Sequence, residues 1–158
     1  MSECASWSAQ REVLAVDALR GSGHLRLLVN GESMLPTLWP GDIVEIESCR
    51  AGEVGRGEIV LAWRDERFFL HRFLNERESG FITRGDSMAG PDPEFAASAL
   101  LGRLQSVNRN GRQVALRPRP WTRMIGLLFC YSSLARRGAL TVRGGKTQGI
   151  PAIDSETA

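Results

Sequence analysis

The chain has 158 residues, of which 42% are apolar and 24% charged, and its formal net charge is +2, a composition ordinary for a soluble globular protein. This length predicts one domain with a sizeable core. Its three cysteines, an odd number without C-x-x-C spacing, exclude a disulfide framework and a cysteine-bound metal, so we expect reduced thiols, no cofactor and a cytoplasmic setting.

Residues 1–24 are predicted to form an N-terminal helical segment. An amphipathic pattern covers residues 7–20, and Gly21 is expected to end the helix. The residues predicted to share its apolar face are Val13, Leu14, Ala18 and Leu19. We expect this helix to cover one edge of a sheet, with a partner-docking or lid helix as the alternative. The segment is charged and lacks a continuous apolar core, so no signal peptide is expected.

A single Ser in a proline turn follows the first predicted strand. The stretch from Gly31 to Asp42, GESMLPTLWPGD, places Ser33 just before a turn that Pro36 fixes, directly after the apolar run from Leu25 to Val29. A Ser held at the end of a strand in this way is well placed to act as a nucleophile. The alternative is a Ser with only a structural role in the turn.

Residues 25–118 are predicted to form a β domain, because short apolar runs alternate there with Gly and Pro, as in sandwiches and barrels. The predicted strands are residues 25–30, 43–47, 58–64, 67–74, 80–84, 101–108 and 112–117. Asn110-Gly111 between the last two predicts a two-residue hairpin turn. The stretch from Arg64 to Arg67 predicts a tight turn that leads into the strand carrying His71.

A Ser hydroxyl needs a neighbouring base, commonly a neutral Lys or a His oriented by a carboxylate. The single Lys is Lys146, in a Gly-rich segment near the end of the chain, and the 19 other basic residues are Arg, which stays protonated. His24 follows a Gly-Ser-Gly stretch and is interpreted as a loop or strand-edge residue. His71, on an aromatic-rich strand, is the candidate base, with a role as a hydrogen-bonded core residue as the alternative.

Four blocks in chain order resemble the type I signal peptidase family, within the signal peptidase/LexA-like superfamily. The blocks are Ser33-Met34-x-Pro36 with Pro40-Gly41-Asp42, then Gly57-Glu58-Ile59-Val60, then Leu70-His71-Arg72, and then Thr83-Arg84-Gly85-Asp86 with Asp92 six residues later. The resemblance covers residues 25–110. A His stands where many members have Lys, so it is to the Ser-His branch of the endoplasmic-reticulum, archaeal and some sporulating-bacterial enzymes.

The resemblance implies a mainly β, coiled all-β catalytic domain and a serine endopeptidase that cleaves after small side chains. It implies that Ser33 is the nucleophile, His71 the base and Asp92 the triad acid, with Asp86 supporting the site. The substrate class is then a specific leader, signal or propeptide, and self-cleavage is a second option.

The C-terminal third differs in charge and pattern. From Phe95 to Ile153 there is no acidic residue, which indicates an acidic partner or an anionic membrane surface, with a solvated basic face as the alternative. Residues 119–140 are predicted to hold an amphipathic C-terminal helix, too short to span a bilayer, that either packs on the β domain or lies at a membrane interface. Residues 141–158 are predicted to be a flexible tail.

One position departs from the family pattern. Where many members have a Ser that donates a side-chain hydrogen bond to the oxyanion, this chain has Gly31, with Asn30 as a possible substitute. This departure supports an alternative function, a catalytically weak or inactive relative that binds peptides. A nucleic-acid-bound regulator is a third hypothesis, but the basic stretch lacks a helix-turn-helix pattern and interleaved aromatics, so no nucleic acid partner is expected.

Overall fold

A computed structural model describes residues 14–115, which form one helix and an eight-stranded antiparallel sheet curled into a half-barrel. Helix α1 is seen from residue 14 to residue 22. The strands are β1 (His24–Leu28), β2 (Ile43–Ser48), β3 (Ile59–Arg64), β4 (Arg67–Glu76), β5 (Gly80–Arg84), β6 (Phe95–Ala96), β7 (Leu100–Arg109) and β8 (Arg112–Val114). Two short 3-10 helices cover Ala51–Glu53 and Ala97–Ala99. The predicted C-terminal helix and tail lie outside the described residues.

The strand order is β1-β2-β7-β3-β4-β5-β6, with β8 paired to β7. The mainly β class expected from the sequence is therefore confirmed. All seven predicted strands are present, the one at residues 80–84 with both ends as predicted and the others with at least one end displaced by one to three residues. Strand β6, only two residues long, was not predicted because so short a run has no periodicity to detect. Among the described residues no helix is long and apolar enough to cross a membrane.

Two details predicted for helix α1 are wrong. The helix continues through Gly21 and ends before Gly23, whose φ of +75° is left-handed and whose N–H donates to the Leu19 carbonyl at 2.8 Å. Gly23 thus caps the C-terminal end of the helix, because glycine adopts this left-handed conformation without a steric penalty. Leu14 is 67% exposed and Ala18 is also exposed, so the buried face consists of Val16 and Leu19, three residues apart.

Both predicted hairpin turns are confirmed. Asp65 and Glu66 have φ of +50° and +57° between the paired residues Arg64 and Arg67. Asn110 and Gly111 have φ of +52° and +76° between Arg109 and Arg112. Positive φ at both central residues matches the right-handed twist of the strands that the turn joins. The first turn fixes the register of β3 against β4, and with it the position of His71 opposite Val60.

Strand β3 is buried on both faces and divides the core into two clusters. Ile59 and Leu61 face the first cluster, which β1, β2, β7 and helix α1 complete. Val60 and Ala62 face the second cluster. That cluster is built around a stack of aromatic rings, with Phe81 5.9 Å from Phe73 and 5.4 Å from Phe95. The loop after β1 buries Met34 and Leu38 in the first cluster, so the candidate nucleophile is attached to the core on one side.

Candidate active site

Three side chains predicted to act together lie in one hydrogen-bonded chain. His71 Nε2 is 2.9 Å from Ser33 Oγ, and His71 Nδ1 is 2.6 Å from Asp92 Oδ2. The His71 and Asp92 side chains are 8% and 11% exposed. With the Nδ1 proton donated to Asp92, the Nε2 lone pair faces the Ser33 hydroxyl, as proton transfer from that hydroxyl requires.

His71 owes its position to the strand pairing of β4. It lies opposite Val60 on the central strand β3, which holds its backbone on that side. Phe69, two residues earlier on the same face, packs edge-on against the imidazole with ring centres 6.0 Å apart. The β3–β4 pairing and the Phe69 ring thus set the position of the imidazole.

Asp92 lies in an irregular segment, yet its carboxylate is fixed from two sides. Thr83 of β5 donates its hydroxyl to Asp92 Oδ2 at 2.6 Å, and the Asp92 N–H donates to the Thr83 carbonyl at 2.8 Å. Burial by itself raises the pKa of Asp92. The hydrogen bonds from His71 and Thr83, with the charges of His71 and Arg64, outweigh burial and hold this pKa below its usual value. The carboxylate is thus kept ionised, as required to orient and stabilise a protonated His71.

The backbone of the nucleophile is fixed by the loop after β5. The Ser87 N–H donates to the Ser33 carbonyl at 2.9 Å, and the Ser87 hydroxyl donates to the Glu32 carbonyl at 2.8 Å. Gly85 lies so close that a Cβ atom there would be 2.6 Å from the Ser33 carbonyl oxygen and 3.1 Å from Ser33 Cβ. Only a glycine lets the two loops approach this closely.

An arginine on β4 joins this loop to the turn that follows Ser33. Arg72 donates from Nε and Nη2 to the two carboxylate oxygens of Asp86, at 2.8 and 2.6 Å, and from Nη1 to the Gly57 carbonyl at 2.7 Å. The Thr37 hydroxyl donates to Asp86 Oδ2 at 2.5 Å. Asp86 has no direct contact with Ser33, His71 or Asp92 among the described hydrogen bonds. It acts on the site by tying the Ser33 turn to the strand that carries His71.

A second arginine holds the far end of the same turn. Arg109, at the end of β7, donates from Nε and Nη2 to the two oxygens of Asp42, at 2.8 and 2.6 Å, and also to the Thr37 carbonyl at 3.1 Å. Asp42 is 1% exposed and also accepts the Trp39 N–H at 2.8 Å. Paired, two-point arginine–carboxylate contacts therefore hold the turn from Ser33 to Asp42 at its middle, through Thr37, and at its far end, through Asp42.

Ser33 also presents its backbone N–H, which donates to no other group within the described part of the chain. Gly31 is exposed, and a Cβ atom there would have no neighbour within 4 Å. The family resemblance predicts a side-chain donor at position 31, and such a side chain would fit there without a clash.

Four residues that hold the site were not predicted as site residues, namely Thr83, Ser87, Arg72 and Arg109. Thr83 and Ser87 are 0% and 2% exposed, and a polar residue on the buried face of an apolar strand is the signal that could have revealed Thr83. The two arginines had no such signal, because their partners are distant in sequence.

The chain matches no protein-family model and no curated protein. The described residues contain no group of three or more His, Cys, Asp or Glu side chains that could hold a metal ion.

Proposed function

We propose that this protein is a serine endopeptidase of the Ser-His-Asp type. The observation that carries the proposal is the unbroken hydrogen-bonded chain from Ser33 Oγ through His71 to Asp92, with distances of 2.9 and 2.6 Å. The same three residue types in this geometry serve acyl transfer on unrelated folds. The resemblance of the surrounding sequence blocks to signal peptidases supports the same reaction.

In the proposed reaction, Ser33 Oγ attacks the carbonyl carbon of the scissile peptide bond while its proton passes to His71 Nε2. The Ser33 N–H stabilises the resulting oxyanion. When the tetrahedral intermediate collapses, the carbon–nitrogen bond breaks and His71 gives its proton to the leaving amine. Water then attacks the Ser33 ester with His71 again as base, which releases the acid product and restores Ser33. Asp92 stabilises the protonated His71 throughout.

An extended peptide is the substrate form that the strand edges favour. Val29 exchanges hydrogen bonds with the segment before β2, donating to the Asp42 carbonyl and accepting from the Gly41 N–H, both at 2.8 Å. Because backbone groups alternate along a strand, those of Arg26, Leu28 and Asn30 point away from β2, toward a side unpaired among the described strands. A substrate strand added there would run directly toward Ser33.

A second unpaired stretch lies on β4. Strand β5 pairs with β4 only from Arg72 onward, so residues 67–71 have no partner on that side within the described sheet. This stretch ends at His71, in the same way that the unpaired edge of β1 leads to Ser33. A peptide bound along either edge would therefore present its backbone to the nucleophile and the base together.

The substrate class rests on the family resemblance. We propose cleavage after a small side chain in a specific leader, signal or propeptide, with peripheral contact of the protein to a membrane surface. The experiment that tests the function is digestion of a proteome-derived peptide library, with new termini read by mass spectrometry. Ser33→Ala, His71→Ala and Asp92→Asn are compared with wild type. Arg77→Gln is the matched control, because this exposed arginine lies outside both unpaired stretches and its side chain forms no hydrogen bond or ion pair among the described residues.

We expect cleavage by wild type and by Arg77→Gln, and a loss on the order of 10⁴-fold or more in Ser33→Ala and His71→Ala. Equal cleavage by wild type and Ser33→Ala would refute the mechanism. Absence of cleavage by folded wild type, together with peptide capture, would favour the binding module that Gly31 suggests. In that case Gly31→Ser tests whether a side-chain oxyanion donor restores turnover.

A further inference from the structure

Arg64, the last residue of β3, lies between the surroundings of His71 and those of Asp92. Its guanidinium carbon is 5.1 Å from the ring centre of Phe69 and 4.1 Å from that of Phe95. Its Nη1 donates to the Pro93 carbonyl at 3.1 Å. Phe69 is the ring that packs on His71, and Pro93 directly follows Asp92. One side chain thus contacts a neighbour of the base and a neighbour of the acid.

The segment that carries Asp92 has few means of holding itself in place. Pro91 and Pro93 have no N–H, so in three consecutive residues only Asp92 can donate a backbone hydrogen bond. That bond goes to Thr83, and the Pro93 carbonyl accepts from Arg64. The segment has no regular secondary structure, and both prolines are exposed. Contacts from outside the segment must therefore keep Asp92 against His71.

We propose that Arg64 is a positioning residue of this site, which stacks on Phe69 and Phe95 and holds the Pro93 carbonyl so that Asp92 stays hydrogen-bonded to His71. The proposal rests on the proposed peptidase function for its catalytic consequence. Arg64 touches neither Ser33 nor the reacting atoms, so its effect passes through Asp92. Its weak pairing with Asp65 at 3.8 Å, where Asp65 is almost fully exposed, leaves the guanidinium committed to the ring pair and the carbonyl.

The test compares Arg64→Gln, Arg64→Lys and Arg77→Gln. Arg77 is exposed between β4 and β5, and its side chain forms no hydrogen bond or ion pair among the described residues, so its substitution removes the same charge without a bond to the Asp92 segment. Two readouts are taken. The first is the proton NMR resonance of the His71 Nδ1 hydrogen, which a 2.6 Å bond to a carboxylate moves far downfield. The second is the division of any rate loss between kcat and KM on a cleaved peptide.

We expect the downfield resonance to broaden or vanish in Arg64→Gln and to remain in Arg77→Gln. We expect kcat to fall on the order of tenfold to a hundredfold in Arg64→Gln with little change in KM, because misplacement of a catalytic group costs turnover rather than binding. Arg64→Lys keeps the charge but not the flat stacking surface, and we expect an intermediate value for both readouts. It also serves if Arg64→Gln does not fold.

An unchanged resonance in folded Arg64→Gln and Arg64→Lys would overturn the proposal, as would losses in Arg77→Gln equal to theirs. The NMR readout needs no substrate, so the two proposals fail separately. A resonance that depends on Arg64 in a protein without peptidase activity would support the positioning role and refute the function.

Discussion

Strand β7 carries the same kind of ion pair at two positions with different surroundings. At its end Arg109 donates to both oxygens of the buried Asp42 at 2.6 and 2.8 Å. Six residues earlier Arg103 reaches a single oxygen of Glu47 at 3.2 and 3.3 Å, with side chains that are 38% and 36% exposed. The sequence offers an arginine and a carboxylate in both cases. We therefore expect burial and two-point geometry, not the residue types, to decide how much each ion pair contributes to stability.

The position of the stronger pair has a structural meaning. Asp42 closes the turn that begins at Ser33, whereas Glu47 lies on the outer face of β2, in a ladder of polar pairs that includes Arg26 with Glu45. A charge inside a protein is costly unless it is fully paired. The buried pair lies where the Ser33 turn is anchored, whereas the pairs on the outer face of β2 are solvated.

The largest expected effect follows from breaking the buried pair. Arg109→Ala leaves the Asp42 carboxylate buried without its partner, so we expect a loss of about 3–5 kcal/mol in the free energy of unfolding. Urea denaturation measures this loss. Arg103→Ala is the matched control on the same strand, and its stability is expected to stay near wild type.

The salt dependence of the stability losses in Arg109→Ala and Arg103→Ala distinguishes the two ion pairs further. Solvated pairs are screened by salt and buried pairs much less so. We therefore expect the deficit of Arg109→Ala to persist at high ionic strength, while any deficit of Arg103→Ala disappears. Equal losses in the two variants at low salt would show that burial does not separate these pairs.

Arg72, the arginine on β4, should contribute less to the free energy of unfolding than Arg109. Arg72 is 27% exposed in its side chain, and its Asp86 partner 15% exposed, so their pair is less buried than that of Arg109. For Arg72→Ala we expect a loss of about 1.5–3 kcal/mol, the range for hydrogen bonds to charged groups. A double-mutant cycle with Asp86→Ala measures the direct coupling of the two side chains. A coupling energy near zero would contradict the role of Asp86 as the anchor of Arg72.

The lowered pKa of Asp92 predicts how the stability of the protein changes with pH. Because the pKa of folded Asp92 lies below that of the unfolded chain, about 3.9, its contribution is complete above that value and is lost as pH falls through the folded pKa. Urea denaturation from about pH 6 to about pH 3 should show a shallower acid loss in Asp92→Asn than in wild type. Parallel curves would mean that Asp92 is not held ionised by its neighbours.

The smallest expected effect uses Cys49 as a reporter of Arg103. Burial raises the pKa of the Cys49 thiol to about 11, and the charge of Arg103 acts in the opposite direction. Alkylation of Cys49 near pH 8 should therefore be slow and should slow further, on the order of a few-fold, in Arg103→Ala. Mass spectrometry of the Cys49 peptide measures the rate. Arg109→Ala, provided it stays folded, should leave this rate unchanged.

Local patterns predicted what local physics decides. Asn110-Gly111 gives its turn because those two residues accept positive φ, and the strand runs follow from their apolar alternation. The prediction that the helix ends at Gly21 is wrong. Gly21 and Gly23 lie two residues apart, and only the folded backbone determines that Gly23 forms the cap. The meeting of Ser33, His71 and Asp92 was expected from the resemblance, and their catalytic role stays a prediction.

Partners across long sequence separations could not be predicted. Arg109 and Asp42 are 67 residues apart, and Arg72 and Asp86 are 14 apart across a bulged strand pair. Nothing in the sequence distinguishes these arginines from the exposed ones. The choice depends on strand register and the curl of the sheet, which bring particular side chains together only in the folded chain.

The close approach at Gly85 bears on how the proposed peptidase activity could be lost in evolution. A single added methyl group at Gly85 would press on the Ser33 backbone and side chain although Ser33, His71 and Asp92 remain in the sequence. Inactive descendants could therefore keep Ser33, His71 and Asp92 intact. A census of active and inactive relatives that inspects only those three positions would miscount them, and the residue at position 85 should be inspected as well.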